Sequence, residues 1–297
     1  MKQLFGYNVE SLYFCSHTCT QHRGLKKKTD RNMRITLLQT DIVWGSPAAN
    51  ATAAKRLMEQ APESDLYVLP EMWSTGFATQ PEGIAEGDGG SLSWMRRMAR
   101  EYQAALSGSI ATALRHDGAT TYHNRHYMVC ADGTEAYYDK HHLFGYGGED
   151  KHYTPGTRRT VVEAGGWRWL LLVCYDLRFP VWSRYRGDYD GILIVANWPG
   201  SRQEAWSTLL RARAIENQCC VVAVNRVGSD AACTYRGGSV IIDAKGQTLA
   251  ACPLGEVSWA TADIDLESQR RFRNHFPVLA DRDPYPILME ENEENNV

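Results

Sequence analysis

A chain of 297 residues with 43% hydrophobic and 23% charged residues is long enough for one large domain with a sizeable core. Its net charge of −3 excludes the basic footprint of a nucleic-acid binder. No apolar run approaches the ~18 residues of a membrane-spanning helix.

Residues 1–32 stand apart. They carry six Lys/Arg against two acids, with no sustained apolar period and no stretch fit for a signal peptide. They read as a flexible extension, with Met33 as an alternative start. Cys15, His17, Cys19 and His22 fall inside it, but no second ligand pair with zinc-site spacing follows, so no metal is expected. From Met33 onward strands and helices alternate. Residues 34–39 are strand-like. Ala48 to Gln60 is helical, with Pro47 suited to the first turn. A short apolar strand, 66–70, runs into Glu71. Leu92, Met95, Met98 and Ala99 share one face of a helix over 92–103. Strands at 106–112 and 123–131 follow, and Asp132-Gly133 predicts a hairpin into 135–138, just before Lys140. The apolar run Trp167–Val173 ends in Cys174. Further strands fall at 191–196, 219–225 and 237–242. Between the first and second of these lies a helix over 201–218, with Ser201 and Glu204 as its capping box. Asp243–Gly246 turns the chain into 248–251. No repeat or linker divides this stretch, which reads as one domain over 33–286. The acidic segment 287–297 is too polar to bury and reads as a disordered tail.

Three of these strands deliver chemistry at their ends: Glu71, Lys140 and Cys174. A thiol is the strongest nucleophile a side chain offers, but at its ordinary pKa of ~8.5 it needs a base or a nearby cation. Glu71 is suited to take its proton, and Lys140 to hold positive charge where an oxyanion would form. Each alone also has a plain structural role: an inert core thiol, a solvated turn acid, a surface cation. The eight cysteines show no disulfide framework and suit a reducing, cytoplasmic setting.

Pro70-Glu71-Met72-Trp73, Tyr138-Asp139-Lys140-His141-His142 and Val173-Cys174-Tyr175-Asp176-Leu177-Arg178 stand in the order Glu, Lys, Cys, spaced by 69 and 34 residues. In this they resemble the signature motifs of the nitrilase superfamily of carbon–nitrogen hydrolases. The resemblance covers 33–275 and extends through Asn197-Trp198-Pro199, 211–217 and 236–239. It implies an α/β fold, a four-layer α-β-β-α sandwich of two mixed sheets, with a homodimer or larger assembly and no cofactor. It also implies that the Tyr175 N–H is a second oxyanion donor. Glu149, rather than its neighbour Asp150, would orient the lysine. Arg178 either pairs with Asp176, Glu204 or Glu216, or recognises a substrate carboxylate. Trp73, Phe77, Tyr146 and Trp198 either wall the pocket or belong to the core. His141 and His142 invite a Cys–His dyad, against which the lysine motif argues. Glu71–Phe77 with Asn197–Arg202 and Trp206 resembles the omega-amidase branch, which implies a small-molecule substrate, the terminal amide of 2-oxoglutaramate or 2-oxosuccinamate. A nitrilase or N-carbamoyl amidohydrolase is the alternative on the same chemistry, and a non-catalytic interaction module is the alternative from another class.

Overall fold

Strands that are apolar on both faces need cover on both sides, and this dictates the architecture. In the computed structural model, which describes residues 32–87 and 89–283 and the short strand Thr18–Cys19, such strands sit at the centre of the first sheet. Trp167–Val173, Gly191–Ala196 and Cys220–Asn225 lie side by side and parallel. Val161–Ala164 and then Thr18–Cys19 flank them on one side, Val240–Ile242 and Thr248–Ala251 on the other. The second sheet has the order Ser258–Ile264, Met33–Gln39, Leu66–Val68, Ala105–His116, Ala119–Val129, Glu135–Asp139. Both sheets mix parallel and antiparallel pairs.

Alternation along the second sheet sorts its residues between two cores. Ile35, Leu37, Leu66 and Val68 pack into one cluster with Leu170–Val173 and Ile192–Val195, closing the space between the sheets. That cluster continues to Trp206, Leu210 and Ala214 of the helix Gln203–Glu216, which covers the first sheet. Leu38, Tyr67, Leu69 and Leu106 point the other way. They meet Ala54, Leu57 and Met58 of the helix Pro47–Gln60 and Leu92, Met95 and Met98 of the helix Gly90–Tyr102. The layers are therefore helix, sheet, sheet, helix. No described helix is long and apolar enough to cross a membrane.

Several boundaries differ from the sequence reading. Ala105–His116 and Ala119–Val129 form one long hairpin, where the sequence predicts strands ending at 112 and beginning at 123. Asp117 (φ 49°) and Gly118 (φ 82°) make its two-residue turn. The outer part of this hairpin is exposed, so the apolar pattern fades while the backbone ladder continues. The predicted capping box at Ser201 does not form. Gly200–Arg202 is a 3₁₀ turn, the helix starts at Gln203, and no side chain caps it. The strand Ser258–Ile264 and the helix Leu266–His275 were not predicted. Apart from Thr18–Cys19 and residue 32, the extension over 1–32 lies outside the described residues, as does the tail over 287–297.

His126 is a fully buried link between the two sheets. Its Nδ1 donates to the Leu172 carbonyl at 3.0 Å, so its Nε2 accepts from the Ser107 hydroxyl at 2.7 Å. Burial pushes its pKa down to about 4, against an ordinary 6.5. The neutral ring is the folded form, so the unfolded chain binds the extra proton first as pH falls. Stability from this site is complete above pH 6.5 and is lost as pH falls towards 4, on the order of 3 kcal/mol in all. Urea unfolding at pH 7 and pH 4.5 should show that loss. A His126→Gln variant should show a shallower one, and equal slopes would refute the assignment.

Candidate active site

Three of the sequence-predicted residues, Glu71, Lys140 and Cys174, come from the ends of three strands and meet between the sheets. Leu66–Val68 leads through Leu69 and Pro70 to Glu71. Glu135–Asp139 places Lys140 one residue beyond its end, and Trp167–Val173 delivers Cys174 in the same way. Lys140 Nζ lies 2.9 Å from Glu71 Oε1 and 2.8 Å from Glu149 Oε2, and none of the three side chains is exposed. The Cys174 thiol feels the charges of the Glu71 carboxylate and of Lys140. Asp150, the alternative to Glu149, is exposed.

The carboxylates are held from several directions. Asn124 uses its single amide group twice, donating to Glu71 Oε1 at 2.7 Å and to Glu149 Oε1 at 2.9 Å. Its own oxygen accepts from the Ser109 hydroxyl, which in turn accepts from the Met72 N–H. Asn197 donates its backbone N–H to Glu71 Oε2 and its side-chain amide to the Glu71 carbonyl, both at 2.8 Å. The Phe144 N–H donates to Glu149 Oε2 at 2.7 Å. With so many donors fixing them, the carboxylates cannot swing towards other partners.

Charge follows from this packing. Burial by itself would strip the proton from Lys140, but the carboxylates of Glu149 and Glu71 outweigh it and drive its pKa up. It stays an ammonium. Burial raises the Glu149 carboxyl, with Lys140 pulling the other way. The Cys174 thiol is pushed well above its ordinary range, by burial first and then by the negative charge of Glu71, while Lys140 opposes both. The resting sulfur is therefore a protonated thiol in the field of the Glu71 carboxylate and the Lys140 ammonium.

The backbone at Cys174 is strained, with φ at 44°. Asp176 fixes this sharp turn. Its carboxylate is buried and accepts the Val173 N–H at 2.9 Å, the Tyr138 hydroxyl at 2.8 Å and the His142 N–H at 3.0 Å. Cys174–Arg178 then form a 3₁₀ turn, whose first N–H groups, Tyr175 among them, have no acceptor within the turn.

Cys174 faces a cleft of about 630 Å³, also lined by Phe77, Tyr146, Tyr175, Arg178 and Trp198. Tyr146 is 92% exposed, at the rim. Trp73 is a correction: it is absent from this cleft. It is buried in the outer core between the second sheet and its helices, its ring 4.8 Å from that of Trp94. The chain reverses at Met72 (φ 41°), which turns Trp73 away from the side that Glu71 faces. Arg178 pairs with none of Asp176, Glu204 and Glu216; its guanidinium lies over the Trp198 ring at 4.9 Å. His141 stacks on Trp182 and His142 on Phe179, and neither lines the cleft. Asn124, Ser109, Arg202 and Asp230 were not singled out as site residues from the sequence. Asn124 left no clear signal, since it stands between His123 and Arg125 in a mixed polar stretch of its strand. Among the described residues no cluster of three or more His, Cys, Asp or Glu could hold a metal ion, and Cys15, His17 and His22 lie outside them.

Residues 34–274 match the family model described as carbon–nitrogen hydrolase. The chain is 44% identical to the omega-amidase YafV of Yersinia enterocolitica, covering 86% of this chain and 99% of that one. It is 35% identical to a 2-oxoglutaramate amidase of Bacillus subtilis, covering 83% and 96%. A CN-hydrolase superfamily protein of Xanthomonas campestris, solved with an arsenic adduct in its active site, superposes with a TM-score of 0.81 at 40% identity, covering 86% and 99%. The layered frame, the buried Glu–Lys–Glu–Cys cluster and these likenesses agree: this chain belongs to the carbon–nitrogen hydrolase family.

Proposed function

We propose that the chain is an omega-amidase, cleaving the terminal amide of 2-oxoglutaramate or a close homologue to the dicarboxylate and ammonia. The observation that carries this is Arg178, a guanidinium with no ion-pair or hydrogen-bond partner among the described residues, lining the same cleft as the Cys174 thiol. The names of the relatives point the same way.

The steps follow from the groups in place. Cys174 Sγ attacks the amide carbon as its proton passes to Glu71. The carbonyl oxygen becomes an oxyanion beside the Lys140 ammonium and the Tyr175 N–H. The carbon–nitrogen bond breaks, Glu71 returns its proton to the leaving nitrogen, and ammonia departs from a thioester. Water then attacks the thioester carbon, giving its proton to Glu71. The carbon–sulfur bond breaks, the acid leaves, and the thiolate recovers the proton. Glu149 and Asn124 hold Lys140 and Glu71 in register throughout. Arg178 accepts the substrate's carboxylate, Phe77, Tyr146 and Trp198 wall it, and the enzyme is a homodimer or larger assembly, as the family resemblance implies.

Ammonia release from 2-oxoglutaramate, a simple nitrile and an N-carbamoyl amino acid, measured side by side, tests this reading. The oxo-acid amide should be turned over fastest. Turnover of the nitrile or the carbamoyl compound without it would move the chain to another branch.

A further inference from the structure

Among the described residues three charged side chains line the cleft that holds Cys174: Arg178, Arg202 and Asp230. Asp230 is already committed. Its Oδ1 accepts the N–H groups of Ala232 and Cys233 at 2.9 and 2.8 Å, and its Oδ2 accepts the Tyr235 hydroxyl at 2.7 Å. Arg226 lies 4.0 Å behind it. Burial works against this carboxylate, yet these donors prevail and hold its pKa below the ordinary value. It is an internal strut of the loop between Val227–Ser229 and Thr234–Arg236.

The two guanidiniums are different. Among the described residues neither is ion-paired or hydrogen-bonded through its side chain. Each rests on an aromatic ring instead: Arg178 over Trp198 at 4.9 Å, and Arg202 over Phe144 at 5.5 Å. A ring supports the plane of a guanidinium and leaves the in-plane N–H groups free. The Arg202 backbone is also pinned, because Trp198 Nε1 donates to its carbonyl at 2.8 Å. One cation would serve a single substrate carboxylate, and this cleft has two.

We propose that Arg202 reads the charge at the far end of the substrate. With Arg178 it makes the cleft favour amides whose other end is a bare anion and disfavour those bearing an α-ammonium. The inference rests on the amidase reading of Cys174 and deepens it. An anionic end gains charge-assisted hydrogen bonds from Arg202. An α-ammonium meets two like charges and a carboxylate whose oxygens are taken. L-Glutamine, zwitterionic at neutral pH, is thereby set apart from its 2-oxo analogue, although the scissile amide is the same.

The test is kcat/KM for ammonia release from glutaramate, L-glutamine and neutral butyramide, by the purified full chain and its R202Q and R202K variants. The wild type should prefer glutaramate to L-glutamine. R202Q should reduce the preference for glutaramate over butyramide by about 10- to 100-fold, chiefly through KM, the scale of one charged hydrogen bond. R202K, which keeps the charge, should retain most of that preference. A proportional fall on both amides in R202Q would assign Arg202 a structural role and overturn the inference, and so would an unchanged preference. A wild type that hydrolyses neither these amides nor 2-oxoglutaramate would overturn the amidase reading and this inference with it, whereas turnover of 2-oxoglutaramate alone would overturn this inference and leave that reading standing.

Discussion

Cys174→Ala is expected to reduce ammonia release by at least about 10⁴-fold, the scale on which other covalent hydrolases lose activity without their nucleophile. The fold should survive, because the Glu71–Lys140–Glu149–Asn124 network closes on itself without the sulfur. Cys174→Gly makes the sharper variant. The backbone at this position has φ at 44°, a conformation that costs a β-carbon-bearing residue roughly 1 kcal/mol or more and glycine almost nothing. The glycine variant should therefore be as dead as the alanine variant while melting no lower than the alanine variant. Thermal melts and ammonia release on the same preparations check both statements. A cysteine kept only for packing would give the reverse, a large stability loss with activity retained. Glu71→Gln complements this, since it leaves the sulfur but removes the base needed for water attack. Acid-quenched mass spectrometry of that variant with substrate should find any acyl group it carries on Cys174.

The strand ends at Glu71 and Cys174 were legible because each follows an apolar run, and a sheet converts that pattern into a side chain at the rim of a core, whereas Lys140 follows the mixed strand Glu135–Asp139. The four-layer stacking could not be read from periodicity; it came from the resemblance, because which helix covers which sheet is a long-range matter. Trp73 shows why a flanking position misleads. Two residues from Glu71 it shares the motif, but the reversal at Met72 sends it to the opposite side of the second sheet. Asn124 shows the converse. It lies 53 residues from Glu71, inside a strand whose neighbours look structural, and only the pairing with Glu135–Asp139 brings it beside Lys140. The long hairpin of Ala105–Val129 was cut short for a related reason. Its outer third is solvated on both faces, so nothing in side-chain polarity marks it as strand. Backbone hydrogen bonds hold it, and those are blind to side-chain type.

Lys140→Met is expected to cost both stability and activity, with a pH dependence that distinguishes it from an ordinary core defect. Methionine fills much of the lysine stem's space but leaves Glu71 and Glu149, both fully buried, without their cation. Breaking a buried ion pair from one side costs about 3–5 kcal/mol. The Glu149 carboxyl, raised by burial and held back by Lys140, relieves that cost by taking a proton, so in the variant its folded-state pKa rises further above the unfolded value of ~4.3. The folded variant then binds more protons than the unfolded chain. Its stability deficit is largest at pH 8, shrinks as pH falls through the raised value, and is least near pH 4.3. His126, kept neutral in the folded state, lowers the stability of both proteins alike on acidification and cancels in their difference. Urea midpoints of the two proteins should therefore converge on acidification. A constant gap from pH 8 to pH 5 would mean that Lys140 contributes packing rather than charge. Activity of the folded fraction should fall by ~10²–10³ at the least, the usual cost of one oxyanion donor. Lowering the pH should not restore it, because a proton on a carboxylate does not replace the ammonium that faces the oxyanion.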